Sequence, residues 1–147
     1  MPATKDYSLR EGTPDAATFN ALRRAGGLTP YSQESAEAGL RGTVFGVVLD
    51  HAGEAVGMGR IIGDGGCTFQ IADIVIHPDH QGQGLAHRIM GALSEHIQDA
   101  LPAGAYVSLI ADLPADGLYA QYGFTPTAPA SIGMARWAGP AGEEVTT

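Results

Sequence analysis

From Leu85 the chain places an apolar residue every fourth position, Leu85, Ile89, Leu93 and Ile97, with Met90 alongside. That spacing puts them on one face of an α-helix and predicts a helix over about 83–99. Pro102 and Gly104 terminate it. Upstream the pattern changes to β-rich runs at 43–49, 55–62 and 68–77, separated by turn residues at 50–54 and 63–66. The first two predict a hairpin and the third continues it, with Pro78 ending its pairing. A short apolar run at 105–111 follows the helix. Strand, helix and strand in that order predict a right-handed parallel crossover.

The two ends carry weaker patterns. A strand is expected at 7–10. A helix follows, with Thr13 as cap and Pro14 in its first turn. Phe19, Leu22 and Arg23 recur in it at helical spacing, and Gly26-Gly27 close it. A second short helix opens at Ser32 or Ser35 and reaches Leu40. Between the two helices, Leu28-Thr29-Pro30-Tyr31 either lines a pocket or packs on the core. Residues 115–122 predict a short helix closed by Gly123. Phe124 then opens a further strand, and 131–137 reads as the last one. From Gly139 onward the chain is polar and expected to be mobile. The expected architecture is a single α+β domain over 1–138, of three-layer α/β type. Its mixed, mostly antiparallel sheet gains one parallel pair and is flanked by helices.

Composition narrows the chemistry. The 147 residues carry a formal charge of -8, which argues against a nucleic-acid partner. That charge either steers a cationic substrate or only keeps the chain soluble. Cys67 is the single cysteine, so an intrachain disulfide is excluded, and it reads as a small buried residue. The five histidines show no zinc-like grouping, so no metal is expected. No run approaches the roughly 18 apolar residues of a membrane span. The first ten residues do not read as a signal peptide, and a cytoplasmic location is expected. Arg60 and Asp64 read as a surface ion pair or as substrate contacts.

The chemistry concentrates between Ile74 and Ala86. An apolar strand runs into Gln81-Gly82-Gln83-Gly84, which opens the amphipathic helix. A turn of this kind presents free backbone N–H groups at a helix start, where the dipole adds partial positive charge. Gly82 and Gly84 let an anion approach the backbone. Alternatively, Asp79 caps the helix and the glycines only allow tight packing. The dinucleotide fingerprint is absent, because its third glycine and following acidic strand end are missing. A phosphate loop of the Gly-Lys-Ser/Thr kind is absent too.

Gln81-Gly82-Gln83-Gly84-Leu85-Ala86 fits, at every fixed position, the Gln/Arg-x-x-Gly-x-Gly/Ala pyrophosphate loop of a known family. A second block, a tyrosine four residues before Gly-Phe, is matched by Tyr119-Ala120-Gln121-Tyr122-Gly123-Phe124. The sequence therefore resembles the GNAT superfamily of acetyl-CoA-dependent N-acetyltransferases, over about 43–124. The resemblance implies two splayed parallel strands, 71–76 and 107–111, with pantetheine inserted between them. Backbone groups of Ile74, Val75 and Ile76 would bond that arm. Gln81, Gly82, Gln83, Gly84, Leu85, Ala86 and His87 would hold the pyrophosphate. Asp112 either contacts the cofactor or caps the helix near Ala115.

The implied reaction moves an acetyl group directly from the thioester of acetyl-CoA to a primary amine. A small-molecule amine is expected first and a peptide second. By resemblance Tyr119 is the general acid for the departing thiolate. On its residue type alone it reads as a core aromatic. Asp73 is the candidate base, with a water chain as alternative. On an unbroken strand it shares a face with Phe69, Ile71 and Val75, which would raise its pKa. A β-bulge would change that face. The competing reading makes Asp73 a structural carboxylate bonded to backbone or to Arg60. Related carbohydrate enzymes carry a Glu-Asp pair here, and Ala72-Asp73 lacks the glutamate. Leu28 and Tyr31 are expected acceptor contacts. A homodimer fits the family, although no segment marks an interface. The alternatives are a non-catalytic acyl-CoA-binding module and a transferase for longer acyl chains.

Overall fold

The computed structural model describes residues 6–140. Five strands form one sheet in the order β1-β2-β3-β4-β5. These are β1 (Tyr7–Glu11), β2 (Phe45–His51), β3 (Glu54–Gly63), β4 (Thr68–Ile76) and β5 (Tyr106–Ser108). The first four pair antiparallel, and β4 pairs β5 parallel. The β2–β3 hairpin closes through Ala52 and Gly53, at φ 52° and 81°. Two consecutive positive φ values match the right-handed twist of the flanking strands.

Helices cover both faces. α1 (Ala16–Ala25) and α2 (Gln33–Arg41) lie on one side, and α3 (Leu85–Ala100) on the other. The predicted stripe of α3 buries Leu85, Ile89, Met90 and Leu93 against Leu49, Ile61, Phe69 and Ile71 of the sheet. Gly59 allows this close approach: a Cβ there would stand 2.6 Å from side-chain atoms of Ile74 and Ile89. On the opposite face Phe19 and Leu22 of α1 pack with Met58 and Val75. After β5, α4 (Asp116–Ala120) is the one further helix among the described residues. Among the described residues no helix is long and apolar enough to cross a membrane.

Several expectations change. Asp15, not Thr13, caps α1, accepting from the Thr18 N–H at 2.8 Å. Pro14 therefore precedes the helix. α3 begins at Leu85 because Gly84, at φ 75°, stands outside it. β5 is shorter than the apolar run at 105–111. The strands expected from Phe124 and over 131–137 are absent among the described residues. Pro126 and Pro129 remove ladder donors there, and Ile132 and Met134 stand exposed. Most of the expected mobile tail, residues 141–147, lies outside the described residues. Cys67 is exposed rather than buried, because it sits in the β3–β4 turn. Asp64 bonds the backbone N–H groups of Gly66, Cys67 and Thr68, and Arg60 turns inward to Asp73.

Leu93 is fully buried between α3 and the sheet. Leu93→Ala is expected to lower unfolding free energy by about 2–5 kcal/mol in urea titration.

Candidate active site

The site begins where a ladder stops. β4 and β5 pair from Thr68↔Tyr106 to Gln70↔Ser108 and no further, while β4 runs on to Ile76. The two strands thus splay, as the resemblance implied. A cleft of roughly 390 Å³ opens beyond the last pair, walled by Ile71–Ile76 on one side and Leu109, Ile110, Asp112 and Tyr119 on the other. Ile74, Val75 and Ile76 all line it. A second concavity of roughly 280 Å³ is lined by Gly82, Gly84, Leu85, Ala86 and His87. The two share Ile76 and Gln81. A long ligand could therefore lie along β4 with one end at the start of α3.

That helix start is left without a side-chain cap. Gly82 and Gly84 adopt φ 81° and 75°, conformations that suit glycine. No side chain caps α3, so first-turn N–H groups remain for a ligand. Asp79 is engaged in the preceding 3-10 turn, where its own N–H donates to His77 Nδ1. The two glutamines serve as braces. Gln81 Nε2 donates to the Ile76 carbonyl at 3.0 Å. Gln83 Nε2 donates to the Tyr7 hydroxyl at 3.2 Å, and that hydroxyl stands 2.7 Å from His80 Nδ1. Sequence reasoning missed Tyr7 and His80, because β1 lies far from the turn along the chain. His87 is joined to Tyr122 through both its Nδ1 and its carbonyl, which ties α3 to the segment after α4.

Asp73 occupies a bulge. Met58 pairs with Val75 and Arg60 with Ala72, so β4 carries one extra residue between those pairs. Asp73 sits there at φ 60°, in the left-handed region that aspartate tolerates better than most residues. The extra residue reverses the facing of the strand. Phe69 and Ile71 pack toward α3, whereas Val75 packs with α1. The apolar setting of an unbroken strand is thereby replaced by two arginines, one of them the Arg60 of the competing reading. Its Oδ1 accepts from Arg23 Nη1 at 2.5 Å, and its Oδ2 accepts from Arg60 Nε at 2.6 Å. The side chains of Asp73, Arg23 and Arg60 are 7%, 9% and 14% exposed, so the three charges are largely withdrawn from water. Arg23 also donates Nε to the Thr29 carbonyl, and its guanidinium lies 4.5 Å from the Tyr31 ring centroid. Arg60 also donates to Gly39 O and Thr43 Oγ1. Arg23 was legible only as a charged residue on the apolar spacing of α1, and that anomaly was its signal.

Of the two expected acceptor contacts, Leu28 lines the cleft. Tyr31 stands behind Arg23, held by Asn20 through paired bonds to its own backbone. Across the cleft, Tyr119 is half-buried on α4. Burial first, and the negative charge of Asp112 second, push its phenol above the ordinary tyrosine value. The phenol therefore holds its proton throughout the neutral range and can donate it. Asp112 does not cap α4, whose cap residue Ala115 makes no side-chain bond.

Two outcomes follow. Asp73→Asn leaves two buried guanidiniums without their shared anion, and unfolding free energy is expected to fall by about 3–5 kcal/mol in urea titration. Asp112→Asn removes the charge and leaves the burial, so the Tyr119 pKa drops toward about 10 but stays above it. Tyrosinate absorbance, taken as a difference against the Tyr119→Phe protein, reads that shift.

Comparisons with known proteins agree with this geometry. The acetyltransferase (GNAT) domain family matches residues 21–133, most of the chain. A solved structure from meticillin-resistant Staphylococcus aureus, described as a protein of unknown function and probable acetyltransferase, is 41% identical. It superposes with a TM-score of 0.84, covering 89% of this chain and 98% of its own. A GNAT-family acetyltransferase from Streptococcus pneumoniae shares the fold at 18% identity and TM-score 0.71, covering 89% of this chain and 96% of its own. N-acetylglutamate synthase from Neisseria gonorrhoeae, solved with coenzyme A and L-arginine, matches at 18% identity and TM-score 0.65. That match covers 87% of this chain and 29% of the synthase. The sequence has no significant match among curated proteins. By the family match over 21–133 and the 41% identity, the chain belongs to the GNAT acetyltransferase family.

Proposed function

We propose that this protein is an N-acetyltransferase that moves an acetyl group from acetyl-CoA to the primary amine of a small molecule. The observation that carries the reading is the broken β4–β5 ladder, which opens a cleft continuous with the uncapped start of α3. The cleft offers Ile74–Ile76 backbone to a pantetheine arm. The turn from Gly82 to His87 offers backbone N–H groups to a pyrophosphate, and each charge-assisted bond of that kind contributes about 1.5–3 kcal/mol. The solved relative bearing coenzyme A shares this fold, which supports the cofactor assignment.

When bound, acetyl-CoA supplies the activated acyl carbon and a thiolate leaving group. The acceptor amine must lose its proton to attack, and the departing sulfur must gain one. Tyr119 is the proton donor: it lines the cleft, and its raised pKa keeps it in the acid form. Asp73 lines the same cleft, but both its oxygens already accept from guanidinium groups. Its assigned part is to hold Arg23 and the bulge in place, and water in the cleft takes the amine proton. Asp112, on the same wall, adds to the burial that keeps Tyr119 protonated.

The test is calorimetric titration with acetyl-CoA, followed by thiol release over an amine panel. Gly84→Glu, which puts a carboxylate where the pyrophosphate would lie, is expected to weaken binding at least about tenfold while the fold persists. Tyr119→Phe is expected to keep acetyl-CoA affinity and to lose about 10²–10⁴-fold in turnover. Binding with no turnover on any amine would leave an acyl-CoA-binding module. No binding by folded protein would overturn the cofactor assignment.

A further inference from the structure

The charge on the α1 side of the cleft does not cancel. Two guanidiniums, Arg23 and Arg60, face one carboxylate, Asp73. Arginine does not deprotonate in proteins, so one positive charge is left over. Arg60 is occupied away from the cleft, on Gly39 O and Thr43 Oγ1 as well as on Asp73. Arg23 differs. Its Nε and Nη1 are committed to the Thr29 carbonyl and to Asp73, and its Nη2 has no hydrogen-bond partner among the described residues. No polar side-chain atom among them is both buried and unpartnered. Nη2 therefore keeps some contact with solvent, although the side chain as a whole is 9% exposed. Arg23 lines the cleft beside Gly26 and Leu28. The opposite wall carries the negative charge of Asp112 next to Tyr119. The cleft is thus polarised, cationic at α1 and anionic beside the proton donor.

We propose that the acceptor is an amine that also carries an anionic group, a carboxylate or a phosphate, and that Arg23 Nη2 binds that group. The inference rests on the transferase reading above and names its substrate class. The anion seats on Arg23 and the amine points across the cleft toward Tyr119 and Asp112. Such an acceptor presents opposite charge to each wall, whereas a purely cationic amine meets Arg23 with like charge. Asp73 and the Tyr31 ring hold the guanidinium in place before the ligand arrives, so little ordering cost is left for binding. The net charge of -8 carried by the whole chain points the other way. A local charge in contact with the ligand outweighs a diffuse field screened by salt within about 10 Å.

Matched acceptor pairs test this on the unmodified protein, with acetyl-CoA and thiol release as readout. One pair is an α-amino acid and its carboxamide. The other is an aminoalkyl phosphate and the corresponding amino alcohol. The anionic member of at least one pair is expected to lead by about 10- to 100-fold in kcat/KM, and the pair that shows it identifies the anion. Arg23→Gln is expected to erase that lead while acetyl-CoA affinity persists. Should this variant fail to fold, the matched pairs still decide. Equal or faster turnover of the neutral members overturns the proposal. If no amine is acetylated, calorimetry of the same pairs with protein and coenzyme A separates the two readings. Selective binding of the anionic members upholds the Arg23 site and sinks the transferase reading, and absence of selectivity overturns the site itself.

Discussion

A single carboxylate ties together the parts that make the cleft. Asp73 is reached by Arg23 from α1 and by Arg60 from β3, and Arg60 extends the tie to the Gly39 carbonyl of α2. Two helices and two strands thus share one buried ion cluster. The cluster sits at the bulge that re-aims β4, so backbone geometry and electrostatics are coupled there. Each buried charge is costly to desolvate and is tolerated because its partners are fixed in hydrogen-bonding geometry. The cluster specifies where α1 lies over the sheet, and with it where Leu28 and Arg23 meet the cleft wall.

The second constraint is the early end of the β4–β5 ladder. A parallel pair that continued to Ile76 would close the cleft with its own hydrogen bonds. Pairing ends at Gln70 and Ser108, so β4 backbone beyond that point is open to a ligand that can imitate a strand. The same strand then runs through the 3-10 turn into Gly82 and Gly84, which present the start of α3. One continuous segment therefore carries both an unpaired strand edge and an uncapped helix start. Tyr7, His80, Gln81 and Gln83 brace the cradle with side chains and leave the backbone N–H groups of the helix start for the ligand.

Much of this was legible along the chain. The four-residue apolar repeat marked α3, the turn clusters marked the hairpin, and the glycines after an apolar strand marked the uncapped helix start. These signals are local: each rests on residues within one or two turns of one another, so periodicity and turn chemistry reveal them. The two sequence blocks, Gln81–Ala86 and Tyr119–Phe124, were enough to suggest the family. The expected C-terminal strands illustrate the opposite case. The run over 131–137 reads as a strand, but a local run does not supply a partner, and no ladder holds that segment among the described residues.

The sequence by itself determined the helices, the hairpin, the glycine turn before α3 and the identity of the residues that crowd the cleft. Tertiary structure alone decided what Asp73 faces. One extra residue in β4 moved it from the apolar face expected of an unbroken strand to a meeting with arginines 50 and 13 positions away. A bulge is set by how two strands register against each other, and register is a long-range property that no local pattern records. The uncancelled charge on Arg23 has the same origin, because it exists only once α1, β3 and β4 have packed together.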